Sequence, residues 1–239
     1  MNTQSQSFSD ARIQLHWSSQ LLSGVADALL DAAHDDSHSN LDWDEAGNRL
    51  VGRTGWYISV TDFVLSNGED SFSLNGQTLE GGKQWLESQV NKEIEFRDYD
   101  MPEHPITAGA KFGILKGHLE SISAWYSFGK AILKGFGELR VWPHHFDLGF
   151  WKPSKSGPER SIGGGFSHGD NHFDMPYFYL NPYGVERPSE LPPLSAGKWT
   201  DKWFGAVLIA NQMEGSGRAE TARDFATSAY AACEALIDE

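Results

Sequence analysis

Four of the nine histidines fall between Arg140 and Tyr179, in RVWPHHFDLGFW and the following SIGGGFSHGD and MPYFYLNP segments, together with several aspartates and a row of aromatics. An imidazole changes charge near neutral pH, and a nearby carboxylate can orient or ionise it, so such a mixture suits acid–base chemistry. His145 and Asp147 read as a general base and its orienting carboxylate, with Asp170 as the third catalytic candidate. His144, Trp142, Tyr177 and Tyr179 read as ligand-binding neighbours, and His16 and His38 are expected to approach the same sheet from the N-terminal region.

Other chemistries fit the stretch less well. His168, Asp170, His172 and Asp174 alternate and could offer nitrogen and oxygen ligands to a divalent ion, but Gly169 and Pro176 break any helix that would put both histidines on one face. Turn chemistry accounts for the same residues, so neither a metal nor another cofactor is expected. Residues 165–169, GFSHG, satisfy the G-x-S-x-G pattern of a hydrolase nucleophile elbow. That motif needs a helix after the serine and a histidine later in the chain, and no histidine follows His172. Ser167 therefore reads as a strand or turn hydroxyl. Residues 76–83 miss the phosphate-loop spacing, and GGGFSHG misses the dinucleotide fingerprint.

The elements that must position these residues follow from periodicity. Ile13, Trp17, Leu21, Val25 and Leu29 recur every fourth residue and predict a helix over 11–33, capped by Ser9 or Asp10. A short strand is predicted at 40–43, a hairpin of 56–65 with 71–75 through Asn67-Gly68, and a helix over 81–91. After the irregular RDYDMPEHPITAG come a helix over 116–135, three strands within 140–180, a strand at 203–210 and a helix over 218–238. Strands that cluster in hairpins favour an α+β fold, an antiparallel or mixed sheet with N-terminal, central and C-terminal helices packed on it.

If 152–159 is a hairpin loop, His145 stands opposite Phe166 and Asp147 opposite Gly164; a turn at 168–174 then sets Phe166 near Tyr177 and Gly164 near Tyr179. One face would carry His145, Asp147, Gly164, Phe166, Tyr177 and Tyr179, and the other, apolar, His144, Phe146, Leu148, Phe178 and Leu180. A slip of one residue would exchange these faces. The glycines Gly163, Gly164 and Gly165 leave a recess either way, filled by a ligand in a pocket or by neighbouring aromatic rings in a packed core.

A chain of 239 residues with 39% hydrophobic content can bury one sizeable core, so a single globular domain over 1–239 is expected. The 19 basic residues against 33 acidic ones give a formal charge of -14, which repels phosphate backbones and anionic headgroups. Nucleic acid and membrane partners are not expected, and oligomeric state is not readable. The only cysteine, Cys233, lies in a helical pattern and reads as a packing residue; with the absence of a signal-peptide pattern in MNTQSQSFSD it suggests a cytoplasmic address.

Several segments together, LHWSSQLL at 15–22, DDSHSNLDW at 35–43, RDYDMPEHP at 97–105, RVWPHHFDL at 140–148, SIGGGFSHGD at 161–170, PYFYLNP at 176–182 and KWTDKWFGAVL at 198–208, resemble an uncharacterised bacterial protein family. More distantly the chain is similar to a domain of unknown function with an LH…Q helix and an FDLA-like strand. The resemblance implies no activity or cofactor. It implies Ser-Pro-Gly-Asp where this chain has Ser167-His168-Gly169-Asp170, which leaves Asp170 as the better residue of that turn.

Three functions fit. The first is binding of a small polar or sugar-like molecule in an aromatic-walled recess. The second is a hydrolase or isomerase using His145, oriented by Asp147, with Tyr177 or Asp170 polarising the substrate and a metal, if any, held by His144, His168 or His172. The third is an interaction protein whose aromatics form an interface. Binding ranks ahead of catalysis.

Overall fold

A computed structural model of the chain describes residues 7–155, 157–213 and 215–238. Residues 1–6, on which part of the leader reading rests, lie outside them. The fold is α+β, and the described chain divides into two compact units, 1–126 with 140–146 and 127–139 with 147–239.

The first unit opens with helix α1, Phe8–Leu29. Its N-cap is Ser7, two residues before the predicted Ser9, and the Ser7 hydroxyl accepts the Asp10 N–H at 3.1 Å. Strands β1 (Leu41–Asp44), β2 (Arg49–Gly52), β3 (Tyr57–Ser59), β4 (Val64–Ser66) and β5 (Ser71–Ser73) form an antiparallel meander, and β6 (Arg140–Trp142) pairs with β1 on its other side. The predicted strand over 56–65 is broken in two, because a turn intervenes at 60–63 and Phe63 adopts a left-handed φ of 53°. Helix α2, Leu79–Val90, packs on α1, where Gly82 admits the Leu21 side chain. Helix α3, Lys116–Leu133, contains the boundary between the units.

The second unit is built on β7 (Asp147–Ser154), β8 (Gly157–Ser167), β9 (Tyr177–Tyr183), β10 (Lys198–Thr200) and β11 (Gly205–Ile209), in the antiparallel order β10-β11-β9-β8-β7. Helix α4, Arg218–Asp238, packs on β9, β8, β11 and β7. One sheet face carries Leu148, Phe150, Phe166, Phe178, Leu180 and Leu208, all buried. It meets the last turns of α3, where Phe128 packs edge-on to Phe178 and Gly129 makes room for Phe166.

The pairing departs from the sequence-based register. Gly164 faces Phe150 and not Asp147, a shift of three residues, and Phe166 faces Phe178 and not Tyr177, a shift of one. The hairpin loop is shorter than 152–159, since β7 runs to Ser154 and β8 starts at Gly157. Both shifts are odd, so only the middle strand turns over. Asp147, Tyr177 and Tyr179 stay on one face, while Gly164 and Phe166 move to the apolar one and Gly163, Gly165 and Ser167 take their place. His144, His145 and Phe146 belong to neither face: they form a turn before β7, closed by Phe146 at a φ of 57°.

Candidate functional site

On the side of the second unit's sheet opposite α4, polar atoms are fixed by strand geometry. Tyr179 stands opposite Gly165, and a Cβ built on Gly165 would lie 2.6 Å from the phenolic oxygen and 2.8 Å from Cζ, so the ring lies down across β8. From there its hydroxyl donates to Asp147 Oδ2 on β7. Tyr177, opposite Ser167, donates to Asp170 Oδ2 at 2.5 Å. Asp170 also organises its own turn, since Oδ1 accepts the backbone N–H groups of His172 (2.7 Å) and Phe173 (3.0 Å).

Burial, followed by the Asp147 carboxylate, pushes the Tyr179 phenol well above its ordinary value; burial, followed by Asp170, raises Tyr177. Both therefore remain neutral donors at physiological pH. Around them stand Phe173, 5.1 Å from Tyr177, and Trp203, 5.7 Å from Phe173 and 6.3 Å from Tyr177 between ring centroids. The Trp203 indole N–H donates to Asn181 Oδ1 at 2.8 Å, and Asn181 Nδ2 donates to the Tyr183 hydroxyl at 3.1 Å. His168, by contrast, is buried edge-on to Phe166, and exposed His172 packs against Trp203.

The first unit gathers the other candidates separately. His16 and Gln20, one turn apart on α1, both donate to the Pro143 carbonyl at 2.7 Å. His16 stacks on Phe146 with centroids 5.1 Å apart, and burial, with the Arg12 charge adding to it, lowers its pKa to about 3. His144 and His145 lie 4.2 Å apart; burial lowers His144 to about 4, while His145 is exposed. His144 also faces Tyr99 (5.4 Å) and Trp142 (6.0 Å).

His38 accepts the Ala33 N–H on Nδ1 (3.0 Å), so its Nε2 carries the proton and donates to Asp27 at 2.8 Å. Arg97 holds Asp27 through Nε and Nη2 (2.8 and 2.7 Å) and Asp36 through Nη1 (2.7 Å). This clasp ties the irregular segment after α2 to the end of α1.

The sequence-selected residues therefore fall into two groups. His16, His38, Trp142, His144 and His145 lie in the first unit, and Asp147, Asp170, Tyr177 and Tyr179 in the second. Trp203, Asn181, Arg97 and Asp27 escaped sequence reasoning. Asn181 was within reach, being two residues beyond Tyr179 on the same strand face, whereas Trp203 joins through a contact between distant parts of the chain.

Among the described residues no group of three or more His, Cys, Asp and Glu side chains is arranged to hold a metal ion, and no helix is long and apolar enough to cross a membrane. A cleft of about 100 Å³ lies elsewhere in the second unit, bordered by Lys152, Ile162, Tyr230 and Glu234 and by none of the selected residues. Compared with protein-family models, curated proteins and solved structures, the chain matches none.

Proposed function

We propose that the chain is a small-molecule-binding protein whose polar ligand lies on the aromatic face of the second unit. The observation that carries this reading is the pair of tyrosines whose hydroxyls are committed to Asp147 and Asp170, the Tyr177 ring bordering Trp203 and Phe173 and the Tyr179 ring lying 6.0 Å from that of Tyr177. Tyr177 is buried and supports the site from below, while Tyr179, Phe173 and Trp203 are half-buried and, fixed by strand, ring packing and hydrogen bond, are preorganised for contact with a ligand. The acidic balance of the chain favours a ligand without phosphates, and the lone cysteine suits a cytoplasmic setting.

Thermal-shift measurement across a metabolite panel tests it. A ligand at about 100 times its Kd adds roughly 2.7 kcal/mol of stability, and Trp203→Ala is expected to abolish the shift. A panel that leaves the transition unmoved sinks the proposal.

A second reading, hydrolase or isomerase chemistry, is supported by the adjacent imidazoles of His144 and exposed His145 beside Tyr99. A neutral imidazole can take a proton from a substrate. If His145→Ala retains full turnover of any substrate found, this reading falls.

A further inference from the structure

The glycines of β8 do more than leave room for Tyr179. Tyr183 stands opposite Ser161 and leans diagonally, so that a Cβ on Gly163 would lie 2.6 Å from its Cε2. Trp151 comes from the other side: it stands opposite Gly163, and its indole N–H donates to the Ser161 hydroxyl at 2.7 Å. Over one face of β8 the rings of Tyr179, Tyr183 and Trp151 are thus directed at positions 165, 163 and 161 in turn. Alternate residues on a strand are about 6.7 Å apart, so the three rings form a track along β8.

The outer part of that track is open. Trp151 is 54% exposed and Tyr183 48%, a high exposure for side chains of this size, yet the indole N–H of one and the hydroxyl of the other have hydrogen-bond partners. Tyr183 covers Gly163 as a packed side chain does, but it and Trp151 also turn a large outer surface to solvent. Rings set over successive positions of one strand, the outer two exposed, match a ligand that itself repeats ring by ring.

Two polymers repeat in this way. A single strand of nucleic acid stacks on aromatic platforms but needs a positive groove to follow its phosphates. Here 33 acidic residues outnumber 19 basic ones, and Asp147 stands at the head of the track. Charge therefore selects the neutral polymer. We infer that the site binds an extended, uncharged oligosaccharide, with one end over Tyr179 and Trp203 and the chain continuing over Tyr183 and Trp151. The inference rests on the binding function proposed above and adds the ligand's class and length.

Tryptophan fluorescence and calorimetric titration of the whole protein with cello-, malto- and chito-oligosaccharides, from monosaccharide to hexasaccharide, test it. In at least one series affinity should rise with length. Trp151→Ala and Tyr183→Ala should each weaken the longest member on the order of tenfold, with the monosaccharide unaffected, and Trp151→Phe should recover most of the loss. Equal affinity at every length, or a length dependence indifferent to Trp151→Ala, overturns the inference. So does tighter binding of an oligothymidylate than of any glycan. If no saccharide binds but another metabolite gives a thermal shift that Trp203→Ala removes, the oligosaccharide inference alone fails; if nothing binds, both fail.

Discussion

Tyr179 donates its hydrogen bond to Asp147 across an intervening strand, and the residue it passes over is Gly165. The bond exists because three positions agree: a phenol long enough to bridge from β9 to β7, a carboxylate at the first position of β7, and a residue without a side chain between them. A Cβ at 165 would also stand 2.8 Å from the Leu148 carbonyl, which is backbone and cannot swing away.

Gly165→Ala should accordingly cost about 1–3 kcal/mol through overpacking. For a chain of this size that is a fall in Tm of roughly 2–4 °C per kcal/mol. Gly113→Ala is the control, since a Cβ there meets nothing within 4 Å. Equal melting of the two variants would contradict the packing described for Tyr179.

The raised tyrosine pKa values set an alkaline limit. Both phenols titrate near 10 when unfolded and higher when folded, so the folded state keeps protons that the unfolded state gives up. Their contribution is complete below about pH 10 and declines as pH climbs above it. The Cys233 thiol, pushed up from 9.0 to about 12 by burial, adds a fall of the same sign. Urea denaturation between about pH 8 and pH 11 should show a shallower alkaline decline in Tyr179→Phe than in the wild type. That variant should also lose about 1.5–3 kcal/mol at neutral pH, the usual value of a hydrogen bond to a charged group.

Acid acts in the opposite sense on the first unit. His16 is held neutral, with a pKa near 3 against 6.5 in the unfolded chain, and His144 near 4. The unfolded state takes up protons first, so stability is complete above about pH 6.5 and is lost as pH falls toward these lower values. His16→Gln, which keeps a donor for the Pro143 carbonyl, should flatten the slope between about pH 6.5 and pH 3. An unchanged slope would mean that His16 is not the group taking up the proton on unfolding.

Arg97→Ala should cost about 1–2 kcal/mol, because it removes a guanidinium that grips Asp27 by two nitrogens and Asp36 by a third while all three side chains keep some contact with water. Arg97→Lys should restore only a fraction, since a single ammonium cannot reproduce the planar fork. Chemical denaturation of the three proteins checks the order.

Much of this arrangement is legible from the sequence, and the exceptions have physical causes. All four helices are expected from the sequence: α4 matches the expected 218–238 end to end, while α1 stops at Leu29 and does not reach 33. The turn at Asn67-Gly68 joins β4 and β5 as expected. Phe63 carries a left-handed φ without being glycine or asparagine, so nothing local announced the break in the strand predicted over 56–65. Asp147, Tyr177 and Tyr179 share a face in the expected and the observed register alike, because the two offsets, three residues and one, are both odd. His145 and Asp147, adjacent in sequence pattern, fall to different units, with Asp147 engaged by Tyr179. No spacing rule could anticipate that, since a turn with Phe146 in a left-handed conformation intervenes.

Cys233 lies wholly buried on the alanine-lined face of α4, among Ala222, Ala226, Ala229 and Ala232 on the same helix. A thiol that is both covered and reluctant to ionise reacts with nothing while the helix stays in place. The chain thus carries a timer of its own. With one sulfhydryl in 239 residues, the rate at which a thiol reagent consumes it measures how often α4 lifts from the sheet, and a ligand that tightens the second unit would slow that reaction without touching the cysteine.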